Sequence, residues 1–156
     1  MSDAAQQSAP VAPVWTDDRI TDLTAWMLIR ASLVFAPRLA HALAPTGLTP
    51  TQFGVLVQLE NSPGIAQAAL ARRCLMTPQS MGEVLPALVD SGLVVRGTRS
   101  GRGHPIPVHI TDAGRDLLLA ATPAVEAANT SEALGLDPEE RETLNRLLQK
   151  LALAED

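Results

Sequence analysis

Four polar side chains lie within seven residues of one another near the middle of the chain: Thr77, Gln79, Ser80 and Glu83. In the major groove of duplex DNA, a glutamine side chain can pair with adenine, and a glutamate can accept a hydrogen bond from cytosine. The simpler interpretation is an ordinary capped surface helix on which Gln79 and Glu83 form an exposed pair four residues apart. The elements around this stretch favour the first interpretation.

Basic residues surround the stretch, although the chain as a whole is acidic. Its 156 residues carry a formal net charge of −5, which by itself argues against nucleic acid because phosphate binding depends on Lys and Arg. Between residues 64 and 109, however, five arginines outnumber two acids, Glu83 and Asp90; the arginines are Arg72, Arg73, Arg96, Arg99 and Arg102. Arg99 and Arg102 belong to a glycine-rich segment that is slim enough to approach a groove. A solvated charge distribution without a partner is the alternative.

The other reactive side chains do not suggest catalysis or metal binding. His104 and His109 are five residues apart in an extended segment, so they face opposite sides of a strand. Cys74 follows two arginines that could lower the pKa of a thiol. It also lies four residues after Leu70 on an apolar helix face, so we interpret it as a core residue. The sequence offers neither a nucleophile with its base nor a phosphate-binding glycine loop. We therefore expect no enzyme, no metal and no cofactor.

Capping signals place the polar stretch at the start of a helix. Thr77 followed by Pro78 begins this helix, and residues 91–92, Ser-Gly, end it. A shorter helix is predicted over residues 65–74, and an earlier one, with a capping box, over residues 49–60. The helix over residues 65–74 and the helix that begins at Thr77-Pro78 are separated by a turn of about three residues. Together they form a candidate helix-turn-helix.

The periodicity changes after this helix. Residues 93–95 are a β-type run, and Ile106, Val108 and Ile110 alternate with other residues, so a hairpin is predicted. Pro105 and Pro107 lack backbone donors on the same side of the second strand. We therefore predict that this strand lies at the edge of the sheet.

Both ends of the chain are predicted to be helical beyond a flexible tail at residues 1–15. One long helix is expected over residues 17–43, with a kink at Pro37. Residues 111–153 should form helices that begin at Thr111 and Asp137, the first of them bent near Pro123. The apolar stripes of these terminal helices exceed what the central region could cover, which predicts a homodimer built from residues 17–43 and 111–153.

Composition is consistent with a single, mainly helical domain over residues 16–153 with a small β-hairpin wing. Hydrophobic residues make up 46% of the chain and aromatic residues 3%, a balance that favours helix packing. One cysteine excludes an intramolecular disulfide. There is no uninterrupted apolar run of about 18–20 residues and no secretory pattern, so we expect a cytoplasmic protein without a membrane partner.

Five short motifs in this order resemble the MarR family of bacterial regulators. They are LTPTQFGVL at residues 48–56, LARR at 70–73, TPQSM at 77–81, GLV at 92–94 and ITDAG at 110–114. The resemblance covers roughly residues 17–153. It implies a winged-helix dimer whose first and last helices interleave between subunits, with residues 48–110 on double-stranded DNA. It also implies release of the DNA when a small lipophilic or phenolic effector binds.

The resemblance implies contacts to DNA from the helix-turn-helix and from the wing. The candidate residues are Arg73, Thr77, Gln79, Ser80, Glu83, Arg99, Arg102 and His104. Three features depart from the family pattern. Arg102-Gly103-His104 replaces an Asp-x-Arg wing sequence, Glu83 and Ala87 replace arginines, and Pro86 lies in mid-helix. A winged-helix protein-interaction module with weak or no DNA binding therefore stays open as an alternative.

Overall fold

The computed structural model of the chain describes residues 14–98 and 105–152. Most of the predicted flexible tail at residues 1–15 lies outside the described residues, and so do the wing candidates Arg99, Arg102 and His104. The chain divides into two compact units, and the boundary falls within a helix, between Phe35 and Ala36. Each unit is described separately below.

The first unit contains helix α1 (Asp17–Thr21) and most of α2 (Thr24–Leu43). Thr16 caps α1, as predicted. The prediction of one unbroken helix over residues 17–43 is wrong, because the amide of Leu23 donates to the Ile20 carbonyl (3.2 Å) in a tight turn that ends α1. The predicted kink at Pro37 does not end α2, which continues to Leu43.

Helix α2 is apolar and largely exposed. With the 3₁₀ turn Ala44–Thr46, it gives one segment of the described residues, Thr24–Thr46, that is long and apolar enough to cross a membrane; its mean hydropathy is 1.3, and 6% of its apolar 18-residue stretch is buried. No membrane-spanning segment is predicted from the sequence, because that prediction considers only apolar runs without a charged residue. Arg30 and Arg38 interrupt the apolar run of this segment. An apolar helix face of this kind also marks contact with a second chain, so composition alone does not make it a membrane segment.

The second unit starts with the end of α2 and continues into α3 (Pro50–Asn61), α4 (Gln67–Arg73) and α5 (Pro78–Asp90). The capping box predicted for α3 is present. The Thr49 hydroxyl accepts a hydrogen bond from the Gln52 amide (3.1 Å), and the Gln52 side chain accepts one from the Thr49 amide (2.9 Å). The helix predicted over residues 65–74 is shorter than expected, because its first two residues form a strand.

Three short strands form an antiparallel sheet in the order β1-β3-β2: β1 (Ile65–Ala66), β2 (Val94–Arg96) and β3 (Pro107–Ile110). The predicted hairpin of β2 and β3 is confirmed, with Val94 opposite Ile110. The prediction that β3 is an edge strand is wrong, because β1 pairs with its other side and places Ile65 opposite Val108. Pro107 is tolerated there because it is the first residue of the strand.

The core of the second unit is aliphatic and holds α5 in place. Met81, Leu85 and Leu88 on one face of α5 are fully buried, as expected for apolar residues at helical spacing. The other buried hydrophobic residues among those described are Leu43, Leu48, Val55, Leu56, Leu59, Leu70, Ala71, Val94, Val108, Ile110 and Ala121. Burying these side chains fixes which face of α5 points to solvent.

Three helices complete the described chain: α6 (Asp112–Ala128), α7 (Ser131–Leu134) and α8 (Pro138–Ala152). The predicted caps are present, since Thr111 accepts from the amide of Gly114 (3.0 Å) and Asp137 from that of Glu140 (2.8 Å). Helix α6 continues through Pro123, and α7 was not predicted. No residue of α8 that the structure describes is buried.

Thr111 also joins α6 to the segment that follows α5. Its hydroxyl donates to the Gly92 carbonyl (2.8 Å), and its amide donates to the Leu93 carbonyl (3.0 Å). Gly114 sits directly against this junction: a Cβ there would be 2.3 Å from the Leu93 oxygen and 2.7 Å from a side-chain carbon of Ile110. Leu93, Ile110, Thr111 and Gly114 are therefore packed closely together where α6 begins.

Candidate nucleic-acid interface

Helices α4 and α5 are joined by a turn, residues 74–77, that is closed by backbone hydrogen bonds. The amide of Met76 donates to the Ala71 carbonyl (2.9 Å) and that of Leu75 to the Arg72 carbonyl (3.0 Å), the pattern of a Schellman cap. Leu75 adopts φ +52° where glycine is the usual residue, and its side chain is 74% exposed. The predicted helix-turn-helix is therefore present, with a non-glycine residue in the left-handed position.

The start of α5 is fixed by two of the predicted site residues. The Thr77 hydroxyl accepts a hydrogen bond from the Ser80 amide (3.0 Å), and the two hydroxyl oxygens are 2.9 Å apart. An N-cap of this kind stabilises a helix by about 1 kcal/mol. Thr77 and Ser80 are therefore already engaged with each other and primarily position the amino terminus of α5.

The outward face of α5 carries the other two candidates. Gln79 and Glu83 are exposed one helical turn apart, and neither side chain makes a hydrogen bond or an ion pair with another described residue. Pro86 is also exposed on this helix, where it supplies no backbone donor. The amide of Gln79 and the carboxylate of Glu83 are thus available to an external partner.

Exposed arginines lie on the elements next to α5 in sequence. Arg72 and Arg73 end α4, and Arg96 belongs to β2. Arg73 Nη1 donates to the hydroxyl of Ser62, the residue at the C-cap of α3. The two ion pairs within the described part of the chain both involve Arg115. Its Nε lies 2.8 Å from Glu60 Oε2, and its Nη1 lies 2.9 Å from Asp112 Oδ1. The charges of Arg72, Arg73 and Arg96 are therefore not neutralised by acids in that part.

The base of the wing depends on close packing that the sequence patterns did not reveal. The Gly97 amide donates to the Pro107 carbonyl (2.8 Å), and a Cβ at Gly97 would lie 2.7 Å from Pro107 Cγ. The opposite side of β3 is anchored by the Gly64 amide, which donates to the Val108 carbonyl (3.1 Å). The described ends of β2 and β3 are therefore held together by these contacts; Arg99, Arg102 and His104 lie outside the described ranges.

Cys74 is half-buried at the end of α4. It lines an open groove of about 360 Å³ together with Pro50, Thr51, Gly54, Gln58 and Met76. Burial raises the pKa of the Cys74 thiol, which disfavours the reactive thiolate. The interpretation of Cys74 as a structural residue is consistent with this environment.

We therefore expect Cys74 to react slowly with iodoacetamide. Because its pKa is raised, less thiolate is present near neutral pH than in glutathione, and the rate should rise towards glutathione's as the pH increases. Alkylation rates measured from pH 7 to 10 check this.

Cys74→Ser should lower the free energy of unfolding, and peroxide should leave the DNA affinity of this variant and of the wild type unchanged. Loss of DNA binding on mild oxidation of the wild type, absent in the serine variant, would show that the thiol is a sensor.

A helix-turn-helix that follows a short strand, β1, and is itself followed by the two-stranded wing of β2 and β3 is a winged helix-turn-helix fold. The family model described as the MarR family matches residues 46–104, from the turn before α3 into the wing. The HTH-type transcriptional repressor Rv2887 of Mycobacterium tuberculosis (strain ATCC 25618 / H37Rv) is 36% identical over 126 residues, which cover 81% of this chain and 91% of the repressor. The chain belongs to the MarR family of transcription regulators.

Solved structures of relatives share this fold. Rv2887 in complex with DNA superposes with a TM-score of 0.67 at 36% identity, covering 83% of this chain and 97% of that one, and Rv2887 has also been solved with salicylic acid. The transcriptional repressor CouR, bound to a 23-mer DNA duplex, gives a TM-score of 0.78 at 31% identity, covering 88% and 98%. CouR has also been solved with p-coumaroyl-CoA.

Proposed function

We propose that this chain is a cytoplasmic transcriptional repressor that binds specific double-stranded DNA as a homodimer and releases it when a small ligand binds. The observation that carries the proposal is the outward face of α5, where the side chains of Gln79 and Glu83 have no partner among the described residues, while Met81, Leu85 and Leu88 on the opposite face are buried in the core. A helix presented in this way is suited to the major groove. We assign the protein a binding function without catalysis.

The proposed DNA contacts come from three places. Gln79 and Glu83 on α5 would reach base edges, whereas Thr77 and Ser80 would set the approach of the helix and offer hydroxyls to the backbone. Arg73 would contact phosphates from the end of α4. Arg99, Arg102 and His104 would contact phosphates or the minor groove from the wing. We further propose that residues 48–110 form the DNA-binding part of a single domain over residues 16–153.

The proposed homodimer accounts for apolar side chains that lie exposed in both terminal segments. In α2 these include Trp26, Ile29, Leu33 and Val34, and in α8 they are Leu144, Leu147, Leu148 and Leu151. Rows of large apolar side chains rarely face water in a monomer. We propose that residues 17–43 and 111–153 supply the dimer interface.

The proposed ligand is a small aromatic or lipophilic molecule. Rv2887 has been solved with salicylic acid and CouR with p-coumaroyl-CoA, and these ligands share an aromatic ring linked to a carboxyl-derived group. A molecule of this class that binds the DNA-free form better than the DNA-bound form would lower DNA affinity by the ratio of its two affinities.

Specific DNA binding is tested by selection from a random duplex pool, followed by fluorescence anisotropy at several salt concentrations. The wild type should enrich an inverted repeat with half-sites about one helical turn apart. Binding should weaken steeply with salt. Gln79→Ala should cost about 1–3 kcal/mol on the selected duplex and little on scrambled DNA.

Gln149→Ala, an exposed glutamine in α8, is the matched control and should leave both affinities unchanged. If the wild type shows no salt-dependent binding to any duplex, the interaction module replaces the repressor as the proposed function.

A further inference from the structure

Helix α5 has an unusual charge for a helix that faces DNA. Its thirteen residues, Pro78–Asp90, include no lysine or arginine but two carboxylates, Glu83 and Asp90. DNA is a dense polyanion, so each carboxylate near it opposes binding. The affinity of the protein for phosphates must therefore come from other elements, and the acidic character of α5 requires its own explanation.

Glu83 is the carboxylate placed to meet the bases. It is exposed, it follows Gln79 by one turn, and it lies on the helix face opposite the buried Met81 and Leu85. No arginine of the described chain forms an ion pair with it, because the two ion pairs found there both belong to Arg115. Within the described chain, the Glu83 carboxylate therefore has no basic side chain paired with it.

The chemistry of base edges determines where such a carboxylate can be accommodated. An ionised carboxylate only accepts hydrogen bonds, and removing its hydration without a donor is costly. In the major groove, guanine presents two acceptors and thymine an acceptor and a methyl group, whereas cytosine presents only the N4 donor. Adenine offers a donor beside the N7 acceptor, which would repel the second carboxylate oxygen. Cytosine is therefore the base that fits Glu83.

We infer that Glu83 is a specificity-determining residue, which selects a cytosine in each half-site and weakens binding to all DNA that lacks one at that position. This inference rests on the proposed DNA-binding function. Non-specific attraction is supplied by Arg72, Arg73 and Arg96 on neighbouring elements, so that α5 contributes discrimination rather than affinity. Because four helical residues span roughly 6 Å and base pairs are about 3.4 Å apart, the cytosine lies about two base pairs from the base read by Gln79.

The test compares full-length wild type, Glu83→Gln and Asp90→Asn on the duplex selected by the wild type, on its variants at every base pair, and on random duplex. Asp90→Asn removes the same charge from the same helix, roughly 10 Å further along it, and is the matched control. For Glu83→Gln we expect random duplex to bind about 2- to 5-fold more tightly. Preference for cytosine at one base pair per half-site should fall by about 5- to 150-fold, with adenine gaining.

Asp90→Asn should keep the cytosine preference. If the wild type binds its selected duplex specifically and Glu83→Gln changes neither the base preference nor the random-duplex affinity, the role of Glu83 is refuted while DNA binding by the protein stands. The role of Glu83 is also refuted if Asp90→Asn reproduces both effects of Glu83→Gln, because the loss of one negative charge anywhere on α5 would then explain them. If the wild type binds no duplex, the proposed function and this inference both fail.

Discussion

Gly114→Ala is expected to destabilise the protein by about 3 kcal/mol, a large effect for the addition of one methyl group. The new Cβ would lie 2.3 Å from the carbonyl oxygen of Leu93, and that oxygen is held in place by the amide of Thr111 at 3.0 Å. Helix α6 would have to move away from the junction to make room. Denaturant unfolding followed by circular dichroism measures the loss.

Gly54→Ala is the control for this prediction. Gly54 also lies inside a helix, but a Cβ there would contact no neighbouring element of the described chain within 4 Å. Because alanine costs less conformational entropy than glycine in a helix, this variant should gain about 0.5–1 kcal/mol. Equal stability of Gly114→Ala and the wild type would show that the joint between α6 and the sheet is not tightly packed.

The double variant Leu147→Glu/Leu151→Glu is expected to dissociate the dimer. These side chains are 47% and 54% exposed on α8. Burying one leucine contributes about 1.5–3 kcal/mol, and each replaced position occurs twice in a two-fold dimer. The association should therefore weaken by about 3 kcal/mol or more. Light scattering should give twice 16.5 kDa for the wild type and a monomer for the variant.

Leu75→Asn provides the comparison, because Leu75 is an exposed leucine outside the terminal helices and asparagine tolerates its left-handed backbone. This variant should stay dimeric. A wild-type protein that is monomeric at micromolar concentration contradicts the proposed dimer, and a dimeric double variant excludes these two leucines from its interface.

Local signals predicted much of the fold. The caps at Thr49, Thr77 and Thr111 were evident because capping depends on residues within one turn. The hairpin was evident because alternation and glycine-rich turns are also local. By contrast, β1 is two residues long and exists only because it pairs with Val108, more than forty residues later. No local pattern could identify it, and the central position of β3 was missed for the same reason.

The residue types of the candidate site could be predicted from the sequence, but the hydrogen bonds and packing contacts of these residues could not. The spacing of Gln79 and Glu83 indicated one helix face. That Thr77 and Ser80 are bonded to each other depends on side-chain geometry at the cap. The need for glycine at residues 97 and 114 arises from contacts with Pro107 and Leu93, which belong to other elements. Close approach between elements leaves no signature in the spacing of a single segment.

The bonds of Thr111 have a mechanical consequence. Its hydroxyl and amide hold the Gly92 and Leu93 carbonyls, so the exit of α5, the entry to β2 and the amino terminus of α6 are linked at one residue. If α6 rotates while these hydrogen bonds are kept, the carboxyl end of α5 moves together with the amino terminus of α6. Changes in the tilt of α6 would then be transmitted to α5 without unfolding any part of the helix-turn-helix.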